Sequence, residues 1–331
     1  MRKFFKTVAI VTVFSVSEKF LGFLYRIFLS RTIGSEGIGL YQVALSVFGL
    51  LYTLTCSGTP ITVSRLMTKY RAENDHERVA KVITAGISST LIFALPVLVV
   101  FYIFGEKFSF LFADDRCLNI FHVVLPGLMF SAVYSVLRGV FWGDKDFLPY
   151  SIIELLEEIC MIICGIILIS FANDVYQGAF RAGVAVLISY SFSFLLAVAV
   201  FFLRHHKLRN PKSEFKPLLR SALPITAMRT ANSLAMSLVS IILPIRLLSA
   251  GFSESQAMAS FGSAVGQAIP LLCIPTTLIG SFTLVLVPEI SENFYKKQNF
   301  YLKRDVEKAL KFSIIVTSLF VPVFIVCGNE L

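Results

Sequence analysis

Residues 181–216 read RAGVAVLISYSFSFLLAVAVFFLRHHKLRNPKSEFK. From Ala182 to Leu203 there is no charged residue, and then thirteen residues carry a run of Arg, His and Lys. An apolar run of roughly 20 residues matches the length a helix needs to cross a hydrocarbon core of ~30 Å. Such runs recur along the chain, at 7–31, 38–66, 80–104, 118–141, 150–171, 181–203, 220–248, 257–289 and 309–328. The expected fold is therefore an all-α polytopic membrane protein with about nine transmembrane helices. Composition agrees: 56% of residues are hydrophobic, only 15% are charged, and mean hydropathy is +0.77. Soluble domains carry roughly 25% charged residues, too many to reconcile with these values.

The formal charge of +9 does not point to nucleic acid, because the cations cluster in the loops on one side. With the N-terminus inside, the inner segments hold most of the 30 Lys and Arg residues, including Arg71, Arg78, Lys81, Lys145, Arg204, Lys207 and Arg209. That is the positive-inside bias, and it predicts a multi-pass protein of a bacterial cytoplasmic membrane with a cytoplasmic N-terminus. The first span follows a basic start, Met1 to Lys6, yet lacks a small-x-small cleavage site and runs on through Glu18 and Lys19, so it reads as a retained helix.

Six spans precede the break at 204–216, so a second lobe starting there enters the membrane in the same direction as the first, the geometry of a parallel repeat. At an offset of 225, Gln42 matches Gln267 and Tyr70 matches Tyr295. The expected organisation is a six-helix lobe over 1–203, a linker over 204–219 and three helices of a second lobe over 220–331. On this reading the chain is a truncated repeat protein. The segment 292–311 reads as an amphipathic interfacial helix. Prolines 224, 244, 270 and 275 make the seventh and eighth spans the ones expected to bend.

Ionisable residues inside the spans are the candidate site, since a central Arg or Lys costs ~2.5–3.5 kcal/mol unless it faces a cavity or a partner. Lys19 and Arg26 lie seven residues apart, so they fall within about 20° on one helix face and roughly 10 Å apart along it. Glu18 flanks this stripe. In the seventh span Arg229 shares a face with Asn232, Ser233 and Ser240, while Arg246 near its end can instead snorkel to headgroups. Glu154, Glu157 and Glu158 share a face of the fifth span, and the two deeper carboxylates either pair with the basic stripe or take a coupling ion. Cys160 and Cys164 share a face but show no metal-ligand spacing and read as packing residues. No nucleotide-binding loop, H-E-x-x-H or G-x-S-x-G motif is present. The expectation is a transporter, not an enzyme, with no catalytic residue, metal or cofactor, and driven by a gradient or potential or by the substrate itself.

The run E-K-F-L-G-F-L-Y-R-I-F-L-S-R-T-I-G-S-E-G-I-G-L-Y-Q, Glu18 to Gln42, followed by S-G-T-P-I-T-V-S-R-L, Ser57 to Leu66, resembles the stage V sporulation protein B group of polysaccharide flippases. That group belongs to the multidrug/oligosaccharidyl-lipid/polysaccharide (MOP) exporter superfamily. The resemblance is close over the first two spans and rests on hydropathy and loop placement beyond them. It implies a MATE-like pair of six-helix bundles around a cationic cavity for a lipid-linked glycan. It also implies membrane lipids and cell-wall or polysaccharide synthesis proteins as partners, and no nucleic acid. Lipid II flippases carry S-R-x-x-G-F-x-R in the first helix. Here Lys19 matches the first basic position and Arg26 is displaced by one residue. Their paired second-helix arginines are missing, with Tyr52 and Thr53 near that place. This departs from the lipid II pattern, while an anionic isoprenoid-linked glycan still fits. The expected function is flipping of an undecaprenyl-linked saccharide precursor for peptidoglycan, spore cortex or polysaccharide assembly. The alternatives are a cation-coupled multidrug exporter of the same superfamily and a non-transporting scaffold for cell-wall enzymes.

Overall fold

The structure is a computed structural model that describes residues 2–276, 279 and 298–327, with the backbone alone for 2–10 and 12. The end of the expected eighth span at 289, the start of the 292–311 segment, Tyr295, Lys296 and Lys297 fall outside the described residues, as do residues 328–331. Among the described residues the fold is helical throughout, 89% helix with no strand. Among the described residues six helices, or seven if one bent pair is a single span, are long and apolar enough to cross a membrane.

Helix α1 spans Arg2–Cys56 and is interrupted at Gly34, whose φ of 66° and ψ of −177° are not helical. That combination is open essentially to glycine alone, so the chain turns between two arms on one residue. The expected loop between 31 and 38 is thus a one-residue hinge. The second arm gives way at Ser57 and Gly58 to α2, Thr59–Ala72, with Pro60 in its first turn, where a missing N–H costs nothing.

Helices α3 (His76–Ile103), α4 (Asp115–Val124), α5 (Gly127–Gly143), α6 (Leu148–Ser170) and α7 (Val175–Leu203) complete the first bundle. The sharp break falls between α4 and α5, at Leu125 and Pro126, where the axes diverge by 46°. Helix α8 runs unbroken over Lys212–Ser249 with Pro217, Pro224 and Pro244 inside it. The eighth span does lose regularity. Helix α9 (Glu254–Phe261) passes into a π-helical stretch at Gly262–Ala268 before α10 (Ile269–Leu272), and α11 covers Asn299–Cys327.

The helix after the basic break begins at Lys212, not near 220, and its first turns are buried. Leu218 and Ala222 share one apolar cluster with Val63, Met67, Val82, Ile83 and Val140. The second arm of α1 and α2 run antiparallel to α8 along its length. Tyr70 Oη donates to Glu214 (2.7 Å), Gly58 N–H to Thr226 Oγ1 (3.1 Å) and Ser237 Oγ to the Ser46 carbonyl (3.0 Å). Three turns at one end close on a left-handed residue, Asn74, Lys145 or His205. Those turns carry a charge network: Arg71 and His206 both reach Asp144, Arg204 pairs with Asp146 at 2.7 Å, and Arg78 lies 3.9 Å from buried Glu214. At the opposite end Arg116 bridges Glu36 (2.9 Å) and Asp114 (2.7 Å).

Candidate functional site

The first arm of α1 carries the stripe expected from its spacing. Glu18, Lys19, Arg26 and, from α6, Glu158 all line one cavity of about 850 Å³. Its remaining walls are mostly apolar, from Phe20 and Phe23 on α1, Met161 on α6, Val186 on α7, and Phe320 and Phe324 on α11, with Gln42 and Tyr41 among them. Both cations are exposed to this space. Lys19 Nζ donates to Glu18 Oε1 at 2.9 Å, so one of the two cations already has a carboxylate.

Arg26 is held from the far side of the cavity. Pro270 has no N–H to give the carbonyl four residues back, Gly266. That carbonyl accepts from Arg26 Nη1 at 2.9 Å. One residue on, Gln267 Nε2 donates to Ser30 Oγ, also at 2.9 Å. The π-helical stretch is therefore tied to the first arm by two bonds, and part of the Arg26 fork is used in the tie. The approach is close because glycines meet: a Cβ on Gly39 would fall 2.1 Å from the Met258 carbonyl oxygen, and one on Gly262 only 1.9 Å from that of Ser35. Glu158 sits over Gly22, between the two cations, where an added Cβ would lie 2.9 Å from its Oε1.

The other expected site residues lie elsewhere. Glu157 lines a second, smaller cavity of about 320 Å³ inside the first bundle. Arg229, Asn232 and Arg246 are exposed on α8 and line neither cavity. Arg26 and Arg229 therefore do not face each other across one cleft: the residue opposite Arg26 is Gly266. Helical periodicity gave Arg229 the right face, shared with Ser240, but that face is not covered at its level.

A family model described as "Polysaccharide biosynthesis protein" matches residues 4–294. The chain belongs to this polysaccharide biosynthesis protein family. The resemblance to the stage V sporulation protein B group of MOP exporters is thereby supported, and relatives agree with it. The family member is 26% identical to "Stage V sporulation protein B" of Bacillus subtilis (strain 168) over 99% of this chain and 66% of that protein. It is 24% identical to "Lipid II flippase MurJ" of the same organism over 97% of this chain and 63% of that protein. The chain thus spans about two thirds of the length of these curated relatives. Among solved structures, an inward-facing MATE family transporter of the MOP superfamily superposes with a TM-score of 0.74 at 16% identity, covering 96% of this chain and 74% of that one. A MOP superfamily transporter from Pyrococcus furiosus gives 0.64 at 17% identity, over 98% and 73%. These structures establish a MATE-like fold for the family member, and the relatives establish a multi-pass membrane protein.

Sequence reasoning missed Arg138. It lies near the end of the expected fourth span and counts there as a loop-side cation. The structure buries most of it in the wall of the second cavity, paired with Glu154 at 3.2 Å. Opposite charges placed inside two consecutive spans were the available signal.

Proposed function

We propose that this protein carries an anionic undecaprenyl-linked saccharide precursor across the cytoplasmic membrane for wall, spore cortex or polysaccharide assembly. The reading rests on the large cavity, which presents Lys19 and Arg26, with Glu18 and Glu158 beside them, against mostly apolar walls. A diphosphate needs charge-assisted donors in place of water, and an isoprenoid chain needs apolar surface. One cavity offers both. The names of the relatives point the same way, "Lipid II flippase MurJ" foremost. Missing second-helix arginines argue for a glycan other than lipid II.

In this reading nine helices span the bilayer, the first six forming one lobe and the next three beginning a parallel second lobe. The network around Asp144 and Glu214 faces the cytoplasm, as does the N-terminus. An inside-negative potential contributes ~2.3 kcal/mol per charge per 100 mV, which drives a diphosphate head outward. Arg229, Asn232 and Arg246 take no ligand contact in this conformation.

The competing reading, cation-coupled drug export, draws on Glu158 in the same cavity wall. Binding separates the two. Purified protein is expected to bind undecaprenyl diphosphate carrying a saccharide, more weakly in added salt and after Lys19→Ala. Salt-insensitive binding, or preference for ethidium that depends on Glu158, overturns the flippase reading in favour of the exporter.

A further inference from the structure

The second cavity lies between the second arm of α1 and helices α5, α6 and α7, and adjoins the first, with Leu45 and Tyr190 lining both. At about 320 Å³ it is far larger than the ~30 Å³ share of one water. It stands at the lower limit of small-molecule sites, roughly 300–1,000 Å³. Its wall is unlike that of its neighbour. Ser131, Tyr134 and Arg138 come from α5, Glu154 and Glu157 from α6, and Tyr52 from α1.

Three of these groups are buried without a hydrogen-bond partner within the protein: Ser131 Oγ, Tyr134 Oη and Arg138 Nε. Serine and tyrosine as residues are only 8% and 7% exposed. Buried polar atoms are nearly always satisfied, and each exception calls for a reason. Arg138 is fixed in place, since Nη1 donates to Glu154 at 3.2 Å while the guanidinium lies over the rings of Trp142 (5.3 Å) and Tyr150 (5.9 Å). A donor left over on a side chain held this firmly is pre-organised for something that enters.

The occupant follows by elimination. A phosphate would answer Arg138 but meet the carboxylates of Glu154 and Glu157. A lipophilic cation would suit those carboxylates and leave the guanidinium and hydroxyl donors unmet. An isoprenoid chain would leave every polar group unmet, at the desolvation cost of each. A ring bearing several hydroxyls both donates and accepts, and so satisfies donors and carboxylates together. Its C–H faces match the aromatic rings of Phe48, Tyr52 and Tyr190.

We infer that this second cavity seats the sugar ring attached to the diphosphate, with Ser131, Tyr134, Arg138 and Glu157 reading its hydroxyls. The inference rests on the flippase reading: the diphosphate lies at Lys19 and Arg26 in the first cavity, and the sugar passes Leu45 and Tyr190 into the second. A seat lined by oriented polar groups also selects among glycans, because a sugar lacking the matching hydroxyl leaves those groups buried and unpaired.

Two probes test it on the purified full chain: undecaprenyl diphosphate, and the same lipid carrying one N-acetylglucosamine. Tyr134→Phe and Ser131→Ala change little but a hydroxyl each. Each is expected to weaken the glycosylated probe about tenfold, the scale of one buried hydrogen bond, and to leave the bare lipid unchanged. Loss of both probes alike, or of neither, in two folded variants overturns the sugar seat. If wild-type protein binds both probes in a Lys19-dependent manner while the variants change nothing, the flippase reading stands without this seat. If wild-type protein binds neither probe, the flippase reading itself fails and takes the seat with it.

Discussion

Glu158 lies over Gly22 between the two cations of the first arm, so its charge subtracts from the field they offer an anion. Glu158→Gln is expected to tighten binding of undecaprenyl diphosphate about fivefold, on the order of 1 kcal/mol for a nearby charge in a partly wet site. The dissociation constant reads it, and weaker binding would show instead that Glu158 holds the cations in place. Gly22→Ala bears on the same contact, because the new methyl must push a flexible carboxylate aside and not a backbone; normal membrane levels with altered affinity are expected. This part of the site was legible in the sequence. A charge inside an apolar run needs a reason, and a seven-residue spacing puts Lys19 and Arg26 on one face. What the sequence could not convey is what lies across from each charge. Periodicity gives a face and not its neighbour, so Arg229 was expected at a cavity that it does not reach, and Arg138 was passed over.

Two glycines decide how the helices meet. Gly34 adopts a backbone conformation that side chains do not tolerate, so Gly34→Ala is expected to cost about 1–3 kcal/mol and to lower the thermal unfolding midpoint of the purified protein. An unchanged midpoint would mean that the arms turn elsewhere. Gly262 is tighter still, since its added Cβ would lie 1.9 Å from the Ser35 carbonyl oxygen. Backbone cannot yield as a side chain does. Gly262→Ala is therefore expected to push the π-helical stretch off the first arm and break the Arg26–Gly266 bond, measured as faster proteolysis of the folded protein. Hydropathy located these elements well but not their joints. A proline inside an apolar run marks a possible kink, yet α8 absorbs three prolines while the 46° break falls at Pro126. Which proline breaks a helix depends on what neighbouring groups offer the freed carbonyl, and that is tertiary information.

Across the whole molecule, charge separates the two ends. One end gathers Arg71, Arg78, Arg204 and His206 around Asp144, Asp146 and Glu214. The far end holds the Arg116 cluster with Glu36 and Asp114. The sequence showed this asymmetry before any packing was known, because loop cations need no fold to be counted. It did not show that the basic segment is partly helix, with α8 starting at Lys212 and Glu214 buried against Tyr70. Its run of Arg, His and Lys made it read as linker throughout. The positive-inside bias acts during insertion and applies to short loops near the spans, which describes the turns at 73–75 and 144–147. Single cysteines at Lys145 and Asn173, in a chain freed of its native cysteines, are expected to behave oppositely in intact cells. A membrane-impermeant maleimide should label the Asn173→Cys variant from outside and reach Lys145→Cys only after the membrane is opened. Labelling of Lys145→Cys in intact cells would invert the topology and, with it, the outward direction that the membrane potential gives to an anionic substrate.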